Sequence, residues 1–297
     1  MAISGVFIPL VTPFKDGNVD YVSYKKLIDY YLTKGVHGFI PLGTTSEGPT
    51  ISDFEYEEII EKTIEYTNGS VPIYVGLGGN NTKKVVEKLK VVEKYKIDGI
   101  LSVSPYYSRP DQRGIFQHFK SISEATYLDI IVYNIPYRTG RNIENTTIRK
   151  LAELNNIVGI KDSSGNIAQT TELILNKPKN FSILTGEDAL FYTTLCLGGD
   201  GGILASAHIN TEGFIKVYND ITSNNSKAAL ETWKELYEFI PMLFQEPNPA
   251  PLKYCLKKLG LIDSSEVRLP LVEITEELQK NLNTIIKSIG GKHSIIK

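Results

Sequence analysis

The strongest constraint on what this chain can fold into is a regular alternation. Eight short apolar runs lie at residues 5–10, 38–42, 72–76, 99–103, 129–134, 157–161, 181–185 and 201–205. Runs that are apolar throughout, rather than at every second position, mark strands covered on both faces, as in a parallel sheet. Between them the apolar residues recur at helical spacing. Residues 21–34 place Leu27, Ile28, Tyr31 and Leu32 on one face, and residues 82–94 repeat Val85, Val86, Leu89 and Val92. Residues 53–67 open on acidic side chains, as a helix N-terminus favours. Further helices are expected at 112–126, 144–154, 167–176, 188–197 and 212–223. Eight strand–helix units in series predict an α/β fold, a (β/α)8 TIM barrel. The length of 297 residues suits it. A doubly wound open sheet is the alternative, but its dinucleotide-binding forms carry a glycine-rich turn after the first strand. Here Val11-Thr12-Pro13-Phe14 follows instead.

Beyond the eighth unit, three more helices are expected at 226–244, 249–259 and 275–289, with a break at residues 245–249 where two prolines fall. We therefore expect a catalytic barrel over residues 1–224 and a helical extension packed on it over 225–297, with a loosely held end at 290–297. A hydrophobic content of 41% supports a substantial core. The net charge of −2 gives no field to recruit nucleic acid or an anionic membrane, so a small-molecule substrate is expected. No apolar run approaches the roughly 18 residues of a membrane span, and the N-terminus carries no secretory pattern. Cys196 and Cys255 each follow an apolar or aromatic residue and read as buried free thiols. A cytoplasmic protein is expected.

In such barrels the chemistry sits at the carboxyl ends of the strands, so the polar residues there are informative. Lys161 closes the sixth run. A partly desolvated mouth would lower its pKa and leave more nucleophilic amine; a lysine reaching out to solvent is the other reading. Tyr133, one strand earlier, suits proton transfer beside a lysine, or is a half-buried aromatic. Thr44 and Thr45 suit a proton relay or a carboxylate, or simply close a turn. Arg138 suits bidentate capture of a carboxylate, or is a solvated arginine. His37, His118, His208 and His293 are scattered without metal-ligand spacing, so no metal and no cofactor are expected. The glycines around Asp200 read as a tight turn or a phosphate site, the turn being preferred.

With these residues in place, the chain resembles the dihydrodipicolinate synthase / N-acetylneuraminate lyase family of class I aldolases. The resemblance runs over residues 5–282 and rests on the threonine-pair loop at 43–47, Pro105-Tyr106-Tyr107, Tyr133-Asn134-Ile135-Pro136 and Gly159-Ile160-Lys161. It implies that Lys161 forms a Schiff base with pyruvate and that Tyr133, Thr44 and Tyr107 relay protons, Tyr107 coming from a neighbouring subunit. It implies that Thr45 holds the pyruvate carboxylate, with Gly186 and Ile203 also at the substrate. Arg138, the Tyr106-Tyr107 pair, Glu246-Pro247-Asn248-Pro249 and Arg268-Leu269-Pro270 resemble the branch that condenses pyruvate with aspartate 4-semialdehyde, on the route to lysine and diaminopimelate. A homotetramer built as a dimer of dimers is implied as well.

The chain also departs from the family pattern, at Ser46-Glu47-Gly48, at Tyr137 and at residues 203–208. These departures bear on the second substrate, so an aldolase acting on a sugar acid or another 2-oxo acid is the alternative; a silent ligand-binding barrel is a third. At the positions resembling the lysine-feedback site (Gly48, Pro49, Asp53, Tyr56, Asn80, Lys84 and Tyr106), only Asn80 and Tyr106 keep the sensitive pattern, so insensitivity to lysine is expected.

Overall fold

The computed structural model describes residues 3–292. Eight parallel strands form one sheet: β1 (Gly5–Ile8), β2 (Gly38–Phe39), β3 (Tyr74–Gly76), β4 (Gly99–Val103), β5 (Asp129–Asn134), β6 (Ile157–Asp162), β7 (Ser182–Thr185) and β8 (Gly201–Ile203). Their order is β2-β1-β8-β7-β6-β5-β4-β3, and a parallel bridge from Phe39 to Ile73 joins the two ends. The helices are α1 (Tyr21–Thr33), α2 (Asp53–Thr67), α3 (Thr82–Val92), α4 (Gln112–Ser123), α5 (Pro136–Thr139), α6 (Asn145–Leu151), α7 (Ile167–Leu175), α8 (Phe191–Cys196), α9 (Thr211–Thr222), α10 (Ser226–Tyr237), α11 (Ala250–Lys258) and α12 (Glu276–Lys292). This is the expected (β/α)8 barrel followed by C-terminal helices.

The chain divides into two compact units. The first comprises residues up to Phe7, His37–Ile40 and Val71–Leu204; it holds the sheet (Ile8 excepted) and α3 to α8. Its interior is a cluster of Phe7, Ile40, Tyr74, Leu101, Ile131, Tyr133, Leu184 and Ile203 with Ile3 and Ile135. Strand ends are tied as well as packed. Asp200 accepts from Ile183 N–H at 2.7 Å and pairs with Lys177, while its carbonyl accepts from Gly5 N–H. Gly198, at φ +97°, serves the turn after α8, while Gly201 and Gly202 belong to β8.

The second unit comprises Ile8–Val36, Pro41–Ser70 and the chain from Ala205 onwards, with α1, α2 and α9 to α12. Ser52 and Glu55 form a reciprocal capping box at the start of α2. Arg268 grips Glu55 through two nitrogens at 2.5 and 2.9 Å. His208 is fully buried; its Nε2 accepts from Val11 N–H, and burial lowers its pKa to about 3.

Several expected boundaries move for local reasons. The strand expected to reach residue 42 stops at Phe39, and Leu42 turns the chain with φ +63°. The helix expected over 226–244 ends at Tyr237, since in a continued helix the Pro241 ring would clash with the carbonyl four residues before it; Pro241–Phe244 forms a 3-10 turn instead. The helix expected over 188–197 is a 3-10 turn at Asp188–Leu190 running into α8. A small hairpin, Phe14–Lys15 against Asn18–Val19, was not expected, although its Asp16-Gly17 turn has positive φ at both residues, the preferred hairpin chemistry. Cys255 is buried as expected, but Cys196 is exposed. The buried side of α8 carries Phe191, Thr194 and Leu195, and the next residue is rotated by about 100° away from it. Of the end expected at 290–297, residues 290–292 continue α12 and the others lie outside the described residues, as does His293. Among the described residues no helix is long and apolar enough to cross a membrane, and no three His, Cys, Asp or Glu side chains gather as a metal site requires.

Candidate active site

Strands β5 and β6 run in parallel register with Tyr133 opposite Lys161. The register slips between Ile130, which pairs with Ile157, and Ile131, which pairs with Gly159. Val158 is thereby the extra residue of a bulge, and the bulge reverses the alternation of faces beyond it. Gly159 and Lys161 then share the face of Ile131 and Tyr133, which belong to the interior cluster. Lys161 is only 6% exposed, and its Nζ lies 4.3 Å from the centroid of the Tyr133 ring.

Burial draws the Lys161 pKa down from the ordinary lysine value to about 8. The carboxylate of Asp188 opposes this most, Tyr137 and Glu187 oppose it less, and the guanidinium of Arg138 adds to the lowering. The result is an amine far easier to deprotonate than a solvated one. Gly186 completes its seat. A Cβ added there would fall 2.3 Å from both Lys161 Cε and Ser163 Oγ, so only a bare backbone leaves room for the lysine stem. The Ser163 hydroxyl is buried beside it and has no hydrogen-bond partner among the described residues.

A polar network holds the ends of β5 and β6. Asp162 accepts from Asn134, Ser164 and Thr170, the last at 2.7 Å. Asn134 also donates to Asn142 and accepts from Ile143 N–H. Each member fixes its neighbour, so the Lys161 backbone sits in a rigid frame. Glu187 is raised above the ordinary carboxylate value by burial and by the like charges of Asp188 and Asp162.

Ile203 is buried in the interior cluster with Tyr133. Arg138 stands exposed on α5, a helical turn opened by Pro136 and closed by Gly140 with φ +73°, where a loop was expected. Its Nε donates to the Tyr137 hydroxyl at 3.2 Å. Tyr107 is 90% exposed and held at φ +69°, a backbone state disfavoured for a bulky residue. Neither Arg138 nor Tyr107 touches the lysine amine by hydrogen bond, whereas Tyr133 and Gly186 are gathered against the Lys161 side chain.

Thr44 and Thr45 belong to the second unit, in a loop folded on itself. Ser46 and Gly48 N–H donate to the Gly43 carbonyl, and Glu47 N–H donates to that of Thr44. Ser46 Oγ donates to the Leu10 carbonyl at 2.5 Å. Thr45 is buried, and its Oγ1 accepts from Asn248 Nδ2 at 3.0 Å. Glu47 is fully buried and pairs with the equally buried Lys253 at 2.5 Å.

Sequence reasoning named Gly186 through the resemblance but missed the charged pair Glu187-Asp188 that follows it, although the rule that singled out Lys161 applies equally to β7. It missed Glu47–Lys253 for lack of any local signal, since the two stand 206 residues apart.

The dihydrodipicolinate synthetase family model matches residues 2–289. The chain is 63% identical over 286 residues to 4-hydroxy-tetrahydrodipicolinate synthase 2 of Clostridium acetobutylicum, covering 96% of this chain and 100% of that one. The crystal structure of dihydrodipicolinate synthase from Thermotoga maritima superimposes with a TM-score of 0.95 at 37% identity, covering 98% of this chain and 99% of that one. The chloride-inhibited dihydrodipicolinate synthase of Acinetobacter baumannii, complexed with pyruvate, gives 0.94 at 35% identity over 97% of this chain and 99% of that one. Matched along nearly its whole length by the family model and by these relatives, the chain belongs to the dihydrodipicolinate synthetase family.

Proposed function

We propose that this enzyme condenses pyruvate with aspartate 4-semialdehyde to 4-hydroxy-tetrahydrodipicolinate, through a Schiff base on Lys161. The observation that carries the reading is the Lys161 amine itself, buried, lowered to about 8 and 4.3 Å from the Tyr133 ring centroid. The neutral amine attacks the pyruvate carbonyl, a proton reaches the carbonyl oxygen, and water leaves as the imine forms. The imine withdraws electrons from the neighbouring methyl carbon, which loses a proton and adds to the aldehyde. The amine of the second substrate then takes the imine carbon from Lys161, closing the ring and restoring the lysine.

Tyr133, Thr44 and Tyr107 are assigned to moving these protons, and Thr45 to the pyruvate carboxylate. Gly186 and Ile203 bound the pyruvate, and Arg138 receives the carboxylate of the aldehyde substrate. Tyr107 is assigned to the site of a neighbouring subunit, in a homotetramer arranged as a dimer of dimers; its exposure supports that role. No cofactor is required beyond the covalently held pyruvate. The cytoplasm is the assigned compartment, where the exposed Cys196 stays reduced.

Borohydride added with pyruvate tests the reading. One adduct of reduced-pyruvate mass is expected, on Lys161. A protein that gains no such mass does not work by this chemistry.

A further inference from the structure

One short stretch of the C-terminal region grips the threonine-pair loop at two points. Asn248 Nδ2 donates to Thr45 Oγ1 at 3.0 Å. Five residues on, Lys253 Nζ meets Glu47 Oε1 at 2.5 Å and the Glu266 carbonyl at 2.9 Å. The other Glu47 oxygen accepts from Arg268 N–H at 2.8 Å, so both carboxylate oxygens are fixed. The lysine and glutamate side chains are 0% exposed, and the ammonium lies 4.0 Å from the Phe14 ring centroid.

We infer that residues 248–253 form a positioning clamp for the loop, in which Asn248 and Lys253 fix Thr45 with its hydroxyl proton left to donate to the carboxylate that the reading above assigns to it. The inference rests on the pyruvate reading above. A hydroxyl that accepts from an amide has its own proton left to donate, and an anionic ligand takes that proton in a charge-assisted bond. Asn248 therefore sets the polarity of Thr45 as well as its place. Lys253 acts two residues further along the loop, on a Glu47 whose backbone sits in the left-handed region at φ +57°. A buried ion pair is a poor source of net stability, because a well-packed apolar pair of similar volume serves as well or better. What it supplies is a single allowed alignment between the start of α11 and the loop.

The test uses Asn248→Ala, Asn248→Asp and the double variant Glu47→Gln/Lys253→Met in the full-length protein. The double variant removes both charges together, so neither is stranded. Each variant is checked for folding by circular dichroism and melting, then for KM of both substrates and for borohydride trapping. Folded variants should still trap pyruvate on Lys161 at saturating concentration. Their pyruvate KM should rise about ten- to a hundredfold, with the aldehyde KM held within about twofold. Asn248→Asp should be the most affected, since its carboxylate takes the Thr45 proton for itself. A lowered melting temperature with unchanged pyruvate KM, or an equal rise in both KM values, overturns the clamp. Should the double variant not fold, the two Asn248 variants decide alone. A wild type that traps no pyruvate removes the functional reading and this inference with it. A wild type that traps pyruvate, beside variants of normal pyruvate KM, removes the inference only.

Discussion

Gly186 gives the Lys161 side chain its room: a Cβ on that backbone would stand 2.3 Å from Lys161 Cε and 2.8 Å from its Cγ. The atoms in the way are parts of flexible side chains, so Gly186→Ala should fold normally while pushing the amine aside. Misplacing a reacting group by about 1 Å costs on the order of a hundredfold in rate. We expect kcat to fall by about that factor, with a melting temperature close to wild type. Steady-state kinetics beside a thermal melt checks this, and full activity in the alanine variant would show that the seat is not needed.

Tyr133→Phe keeps the ring beside the Lys161 amine and removes only the hydroxyl. Losing one general acid–base group lowers turnover by roughly 10²–10⁴. Near-wild-type kcat would take Tyr133 out of the proton relay.

The pH dependence of pyruvate capture should follow the lysine. The neutral amine is the nucleophile, so the initial rate of adduct formation should rise with pH through about 8 and level off above it. Asp188 holds the ammonium form by its opposite charge. Asp188→Asn should therefore move the profile to lower pH. Trapping followed by mass spectrometry across pH 6–10 reads both, and a profile centred at the ordinary lysine value of 10.5 contradicts the burial argument.

Arg138→Ala should raise KM for aspartate 4-semialdehyde and leave that for pyruvate unchanged, through loss of a charge-assisted contact. If kcat falls with both KM values unchanged, Arg138 works by holding another side chain, of which Tyr137 is its hydrogen-bonded neighbour. Turnover of sugar aldehydes with none of aspartate 4-semialdehyde would reassign the second substrate.

Activity should persist in millimolar lysine. Lys84 is exposed on α3; if the resemblance to the lysine-feedback site holds there, its cation would repel the ammonium groups of lysine. Losing one charge-assisted contact and adding a like charge weakens binding by at least about a hundredfold. Half-inhibition below the millimolar range in a lysine titration would refute this.

The sequence alone determined the barrel, because strand and helix periods are local properties that need only neighbouring residues to be read. It also singled out Lys161 and Tyr133, since polar residues ending apolar runs mark the strand ends. Which face Lys161 occupies was beyond it. Strict alternation from Val158 would have sent Ile160 inward, and the one-residue bulge against Ile131 turns Lys161 to the interior instead. A bulge is selected by the packing of both strands, so neither strand's own sequence specifies it. The same holds for Gly186, whose missing Cβ has meaning only once the Lys161 side chain lies across it. It holds most of all for Glu47 and Lys253, a pair of charges that the sequence alone would leave in solvent. Only the folded chain encloses them together, and burying either without the other is the unfavourable state that the fold excludes.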